Sequence, residues 1–338
     1  MPAKRKNVLL GVFPGDRTED LTSLDRFETW LGTRPTVVTL FISGLSDPNR
    51  VEAFVDSWMT RTWNHSHVPL VTWEPRTETE SNELITQQIA RGMYDEQISR
   101  FASLLESWIF EPPEGHERRL FFRPAHEMNG DWYPWSARDG RITPSDYVRM
   151  WRHLREIFAE TVMIGEHIQW MWSVNCEDRL AYPAESFYPG DEYVDWIGID
   201  GYNWGDSQKW SEWKSPSEIY DPMLDRMKRL ADNPIAFPEL ASSSCYRGRY
   251  RASEKNAWIT EFGRYIASTD VNLISWFNMD KNTDWAVFDG KNGTKTVTVD
   301  GSTCSTYPAY RTLVTTELNP LGGAAPRILT DEQFLGKF

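Results

Sequence analysis

The feature that most constrains this sequence is a regular alternation, in which apolar runs of strand length are each followed by a segment with apolar residues at helical spacing. Strands are expected over 8–13, 36–42, 68–73, 119–124, 168–174, 194–199, 235–237 and 271–277. Helices are expected over 51–62, 83–110, 144–158, 217–231, 253–267 and near 307–315, and Leu24, Phe27, Trp30 and Leu31 form a helical stripe after the first strand. Strands joined through helices make parallel sheet, and eight of them close a barrel more readily than they extend an open sheet. The expected fold is therefore α/β, a single-domain (β/α)8 TIM barrel over 1–318. A rim hairpin is expected near 286–300, around Asp289-Gly290 with Val297 and Val299, and the tail 319–338, with its prolines and glycines, reads as irregular.

A parallel barrel presents its chemistry at the C-terminal ends of its strands. At the end of the fourth apolar run stands Arg123-Pro124-Ala125-His126-Glu127-Met128-Asn129-Gly130-Asp131-Trp132-Tyr133-Pro134-Trp135. Glu127 thus sits where a strand hands over to a loop. The aromatics offer flat apolar faces and His126, Asn129 and Asp131 offer hydrogen-bonding edges, the two kinds of surface that sugar rings need. Glycoside cleavage needs a second carboxyl group nearby. Glu239, in Pro238-Glu239-Leu240, ends the seventh run, three βα units further on, so the two should face each other across the barrel mouth.

Other carboxylates are weaker candidates. Glu74, in Trp73-Glu74-Pro75, also ends a strand and reads as a sugar-hydroxyl ligand or a rival acid, while Glu166, Glu177 and Glu261 read as solvated. A salt bridge to Arg123 is the alternative use for Glu127. Asp200 and Tyr202 close the sixth run two residues apart and so share a face.

Composition narrows the ligand. A net charge of −13, from 36 Lys and Arg against 49 Asp and Glu, argues against nucleic acid, whose phosphates call for basic surface. Trp occurs 17 times, more than a core needs, so some are expected to stack on a ligand. Cys176, Cys245 and Cys304 allow at most one bridge and suggest no metal site. His126 lacks the second histidine four residues on that a zinc helix would carry, so no metal and no cofactor are expected. The basic N-terminus is followed by only a short apolar run, 8–12, which reads as the first strand and not as a signal peptide. No stretch approaches a membrane span. The expectation is a soluble monomer, exported if a leader precedes it and cytoplasmic otherwise.

The segment His126-Glu127-Met128-Asn129-Gly130-Asp131-Trp132-Tyr133-Pro134-Trp135 resembles the acid/base segment of glycoside hydrolase family 26, and Val194-Asp195-Trp196-Ile197-Gly198-Ile199-Asp200-Gly201-Tyr202 resembles its sixth strand. The resemblance covers about 119–285. It implies a retaining endo-β-mannanase, or a β-1,3-1,4-glucanase or β-1,3-xylanase, with Glu127 as acid/base and Glu239 as nucleophile. It further implies that Asp200 holds His126 and Tyr202 hydrogen-bonds Glu239. Trp276 would floor the sugar site at the scissile bond and Trp132 would lie on the leaving-group side. Trp73, Tyr133, Trp135 and Trp204 are candidates to extend the cleft. A histidine common near the end of the family's third strand is replaced here by Trp73-Glu74-Pro75. The reading from another class is a carbohydrate-binding barrel without turnover.

Overall fold

The computed structural model describes residues 5–15, 21–44, 47–77, 84–112, 115–161 and 166–338. The basic N-terminus through residue 4 and the expected helix start at Glu83 lie outside them. In chain order the elements are β1 Lys6–Phe13, α1 Thr22–Leu31, β2 Val37–Ser43, α2 Pro48–Ala53, α3 Thr60–Asn64, β3 Val68–Glu74, α4 Ile85–Ala90, α5 Asp95–Phe110, β4 Leu120–Pro124, α6 Pro144–Thr161, β5 Ile168–Asn175 and β6 Trp196–Asn203. There follow α7 Pro216–Leu230, β7 Ile235–Ser242, a small hairpin of β8 Cys245–Tyr246 and β9 Arg249–Tyr250, α8 Ala252–Ala267, β10 Leu273–Phe277, β11 Lys295–Val299, β12 Ser302–Thr306, α9 Pro308–Thr312, β13 Leu318–Pro320 and α10 Asp331–Phe334. A π-helical turn, Phe54–Met59, joins α2 to α3.

Strands β1 to β7 and β10 pair in parallel, and β10 returns to β1, so the sheet closes into an eight-stranded barrel. Short-range signals set the helices. Ser215 and Glu218 form a reciprocal capping box at α7 with Pro216 in its first turn, and Asp47 caps α2 ahead of Pro48. The long helical region expected over 83–110 is two helices, interrupted at Gly92, whose φ of 78° a helix cannot carry. Among the described residues the crossover from β5 to β6 has no α-helix, only two 3-10 turns, Ala184–Phe187 and Asp191–Tyr193. That crossover is a long loop that begins beside the barrel mouth.

Two expectations need correction. The hairpin is β11 and β12, turning at Asp300-Gly301, so Asp289-Gly290 lies ahead of it. The tail is irregular over 321–330 but not throughout: β13 pairs with Lys6 to Val8 of β1, ahead of the part of β1 that β2 occupies, and α10 follows. Phe334 of α10 is buried against Phe121, and its carbonyl accepts from the indole N–H of Trp196 at 3.1 Å. The tail thus stoppers the end of the barrel opposite the mouth.

Period-two alternation divides each strand between the barrel interior and the helical ring. Phe122 and Trp170 pack outward on Phe158 of α6, whereas Thr72, Arg123, Ser173 and Asp200 meet inside. Gly198 is needed there, because a Cβ would lie 2.5 Å from the Ser173 hydroxyl. Replacing Phe334 with Ala should remove about 3 kcal/mol of stability, read as a fall in Tm, and an unchanged Tm would show that the tail is not part of the core.

Candidate active site

Glu127 follows β4 with its backbone in the left-handed region, φ 53°, two residues after Ala125 at φ 47°. Non-glycine residues seldom adopt that conformation, and surrounding contacts hold it here. The Glu127 amide donates to the Ser173 carbonyl at 2.8 Å and the Tyr147 hydroxyl to the Ala125 carbonyl at 3.0 Å. Asn129 exchanges hydrogen bonds with the Asn175 backbone, tying the loop to the end of β5. The turn aims the Glu127 carboxyl into a cleft of about 1080 Å³ that Glu74, Tyr202, Trp204 and Glu239 also line.

Both Glu127 oxygens are oriented. Asn175 donates to one at 2.8 Å and the indole of Trp132 to the other at 2.9 Å. Burial, together with the charge of Glu239, nevertheless pushes this carboxyl up to about 7, with the two hydrogen bonds pulling the other way.

Glu239, on β7, accepts from the Arg123 guanidinium and, at 2.6 Å, from the Tyr202 hydroxyl. His126 is 3.6 Å from it, and its Nε2 lies 2.9 Å from the Tyr133 hydroxyl. Burial and the nearby cations Arg123 and Arg76 keep this imidazole well below its ordinary value, hence neutral.

Asp200 does not hold His126. It accepts two hydrogen bonds from one Arg123 nitrogen at 2.9 Å and another from Ser173 at 2.8 Å, so the expected Asp200–His126 contact is replaced by an ion pair inside the barrel. Arg123 also donates twice to Thr72. Burial pulls this guanidinium down, but Asp200 and Glu239 outweigh it and raise its proton affinity.

The tryptophans divide by strand register. Trp276 does not floor the site: it is buried on the outer face of β10, against Trp258 and Tyr310, and its neighbour Phe277 enters the cleft. Trp73 likewise points outward onto Phe101 and Phe122, leaving Thr72 and Glu74 on the inner face. Trp135 is buried beneath Tyr133, its rings stacked at 4.4 Å. Trp132, Tyr133 and Trp204 do line the cleft, as does Glu74, which pairs with Arg76 and whose carboxyl is raised by burial.

Four residues missed by sequence reasoning belong to the site: Arg123, Asn175, Phe277 and Trp285. Trp285 packs on Tyr202 at 5.0 Å and on Trp204 at 4.7 Å. The wholly buried ammonium of Lys255 clamps its loop by donating to the carbonyls of Asp284 and Ala286, either side of Trp285. Asp284 itself accepts from Ser243, Ser244 and Asn292. Only the position of Asn175, at a strand end, carried a readable signal. Cys176, Cys245 and Cys304 are unpaired, and no group of three His, Cys, Asp or Glu among the described residues is placed to hold a metal ion. No described helix is long and apolar enough to cross a membrane.

A carboxyl whose proton affinity rises on folding contributes most to stability below its unfolded value, near 4.5, and that contribution is lost as pH rises through about 7. The Tm difference between Glu127→Gln and the parent should therefore grow in favour of the variant from pH 4 to pH 8. A constant difference would refute the raised proton affinity.

Comparison with known proteins bears on the same strands. The model of glycosyl hydrolase family 26 matches residues 80–244. Endoglucanase H of Acetivibrio thermocellus is 29% identical over 286 residues, covering 82% of this chain and 28% of that protein. A mannan endo-1,4-beta-mannosidase of Bacillus subtilis is 22% identical over 228 residues, covering 60% of each. The chain therefore spans between about a quarter and three fifths of the length of these relatives. The solved structure of a Bacillus subtilis mannanase superposes with a TM-score of 0.61 at 16% identity, covering 97% of this chain and 91% of that one, and shares the barrel fold. Over residues 80–244, which hold both Glu127 and Glu239, the chain is thus similar to glycosyl hydrolase family 26.

Proposed function

We propose that the chain is an endo-acting retaining β-glycosidase for a β-linked polysaccharide, with a β-1,4-mannan or glucomannan as substrate. The observation that carries this is the pairing of two nearly buried carboxyls in one cleft with opposite surroundings. Glu127 holds its proton to about 7, while Glu239 faces a guanidinium and a phenol that both donate to it. One is equipped to give a proton and the other to attack.

In this reading Glu127 protonates the glycosidic oxygen as Glu239 attacks the anomeric carbon from the opposite face of the ring. The C–O bond to the leaving sugar breaks, a glycosyl ester forms on Glu239, and the proton leaves with the departing alcohol. Glu127, now ionised, takes a proton from water, whose oxygen displaces Glu239, and two inversions give net retention. Arg123 and Tyr202 hold the Glu239 oxygens on the line of attack, and Trp132 and Asn175 orient Glu127. Phe277, Trp285 and Trp204 supply apolar surface for the sugar rings.

The mannan assignment is supported by the Bacillus mannosidase and competes with β-1,3-1,4-glucanase activity, supported by the longer match to endoglucanase H. Reducing-sugar release from glucomannan, galactomannan, barley β-glucan and β-1,3-xylan separates these. Binding without release from any of them would establish a carbohydrate-binding barrel instead.

Azide tests the two roles. With an activated aryl glycoside, Glu127→Ala should form the glycosyl-enzyme and stall for lack of a base, and azide should restore turnover and yield the β-glycosyl azide. In Glu239→Ala azide should enter from the vacated face and yield the α-azide. The same anomer from both variants, or full hydrolysis by Glu239→Ala, would overturn the assignment.

A further inference from the structure

Of the 17 tryptophans, all of them among the described residues, only Trp132 and Trp210 are exposed, at 42% and 60%, and both stand on the cleft wall. Trp132 is accounted for by its hydrogen bond to Glu127. Trp210 makes no hydrogen bond to the machinery described above and packs into no core, yet an indole held in water forfeits the burial that fifteen others obtain wholly or in part.

The loop after β6 holds it firmly. Asn203 Oδ1 accepts from the amides of Gly205 and Lys214 at 3.2 and 3.1 Å, closing the base of the loop. The Ser211 hydroxyl donates to the Gly205 carbonyl at 2.7 Å, and the Lys214 carbonyl accepts from Trp258 at 2.9 Å. The Asp206 amide donates to the Cys245 carbonyl at 3.0 Å. Trp204 meets the Trp210 ring edge-on at 5.1 Å and the Arg179 guanidinium lies 5.7 Å from its centre. The indole is therefore presented on a scaffold and has not merely been left at the surface.

Its place in the barrel gives it a use. β2 and β6 lie four strands apart in a closed ring of eight, so the loops that follow them stand on opposite sides of the mouth. The cleft reaches Trp58, beyond β2, and Trp210, beyond β6, with Glu127 and Glu239 also on its walls. We infer that Trp210, with the edge of Trp204 and the Arg179 guanidinium, forms a distal sugar-binding platform that stacks one ring of a neutral β-linked glycan several units from the cleavage point. This rests on the glycosidase reading for its substrate class, but it is separable from turnover. A platform of this kind makes productive binding depend on chain length.

The test compares Trp210→Ala and Trp210→Phe with the parent. Affinity electrophoresis through gels containing soluble glucomannan or barley β-glucan reads binding, and kcat and KM are measured for the polymer and for the shortest oligosaccharide cleaved. Trp210→Ala should lose retardation in the gel and raise KM for the polymer about tenfold, the scale of one aromatic stacking contact. It should leave the shortest substrate unchanged, and Trp210→Phe should recover most of the difference. Equal losses on both substrates, undiminished retardation of Trp210→Ala, or a parent protein that binds neither polysaccharide would overturn the platform. A parent that is retarded yet cleaves nothing would refute the glycosidase reading while the gel still decides the platform.

Discussion

Arg123 is a cation sealed inside the barrel, and the mouth of the barrel is arranged around its neutralisation. One nitrogen is held by Asp200, another reaches Glu239, and Thr72 takes the remaining donors. A buried ion pair is a costly structure, and removing one partner typically leaves an uncompensated charge worth about 3 to 5 kcal/mol. Five strands thereby contribute to one network: β3 through Thr72, β4 through Arg123, β5 through Ser173, β6 through Asp200 and β7 through Glu239. The proposed attacking carboxylate is thus a structural member of the core as well as a chemical group. Its position is as rigid as the barrel itself.

The barrel could be read from the sequence because its period is short and repeated. Each strand is an apolar run a few residues long, and Glu127 and Glu239 follow such runs directly, so an error of a residue or two in a boundary still leaves them at the mouth. Side-chain direction is less forgiving. Trp276 and Trp73, expected in the cleft, are each one residue out of register with the inner face, where Phe277, Thr72 and Glu74 stand. Arg123 lay in plain view in an apolar run, but a charge within a strand reads as an exposed edge until the strands facing it are known. Trp285 belongs to a loop, and no periodicity could have reported that Lys255, thirty positions earlier, holds it in place. The anchors of the tail leave no mark for the reverse reason: its prolines and glycines do signal irregular chain, while the three residues that pair with β1 and the single Phe334 that enters the barrel are too short to leave a pattern.

The same physics explains why the two ends of the barrel differ. At the end away from the mouth Phe121, Trp196 and Phe334 fill the interior with rings. At the mouth the interior is polar and paired, and aromatic residues move to the rim, where Tyr202, Trp204 and Trp285 pack on one another, Trp204 meeting Trp285 edge to face. An apolar stopper and a charged clamp serve opposite purposes in one tube, one supplying burial and the other geometry.

Glu127 carries two burdens that the fold would be better off without, a left-handed backbone and a buried carboxyl facing a second acid. An asparagine or glycine at that position would relieve both at once. Loss of the carboxyl is therefore a downhill step for the folded chain, and a lineage relieved of any need for chemistry would be expected to discard it within few substitutions while keeping the aromatic cleft and its affinity for sugar. Lectin-like descendants of such barrels are, on these grounds, an easy evolutionary destination, and the road back is uphill.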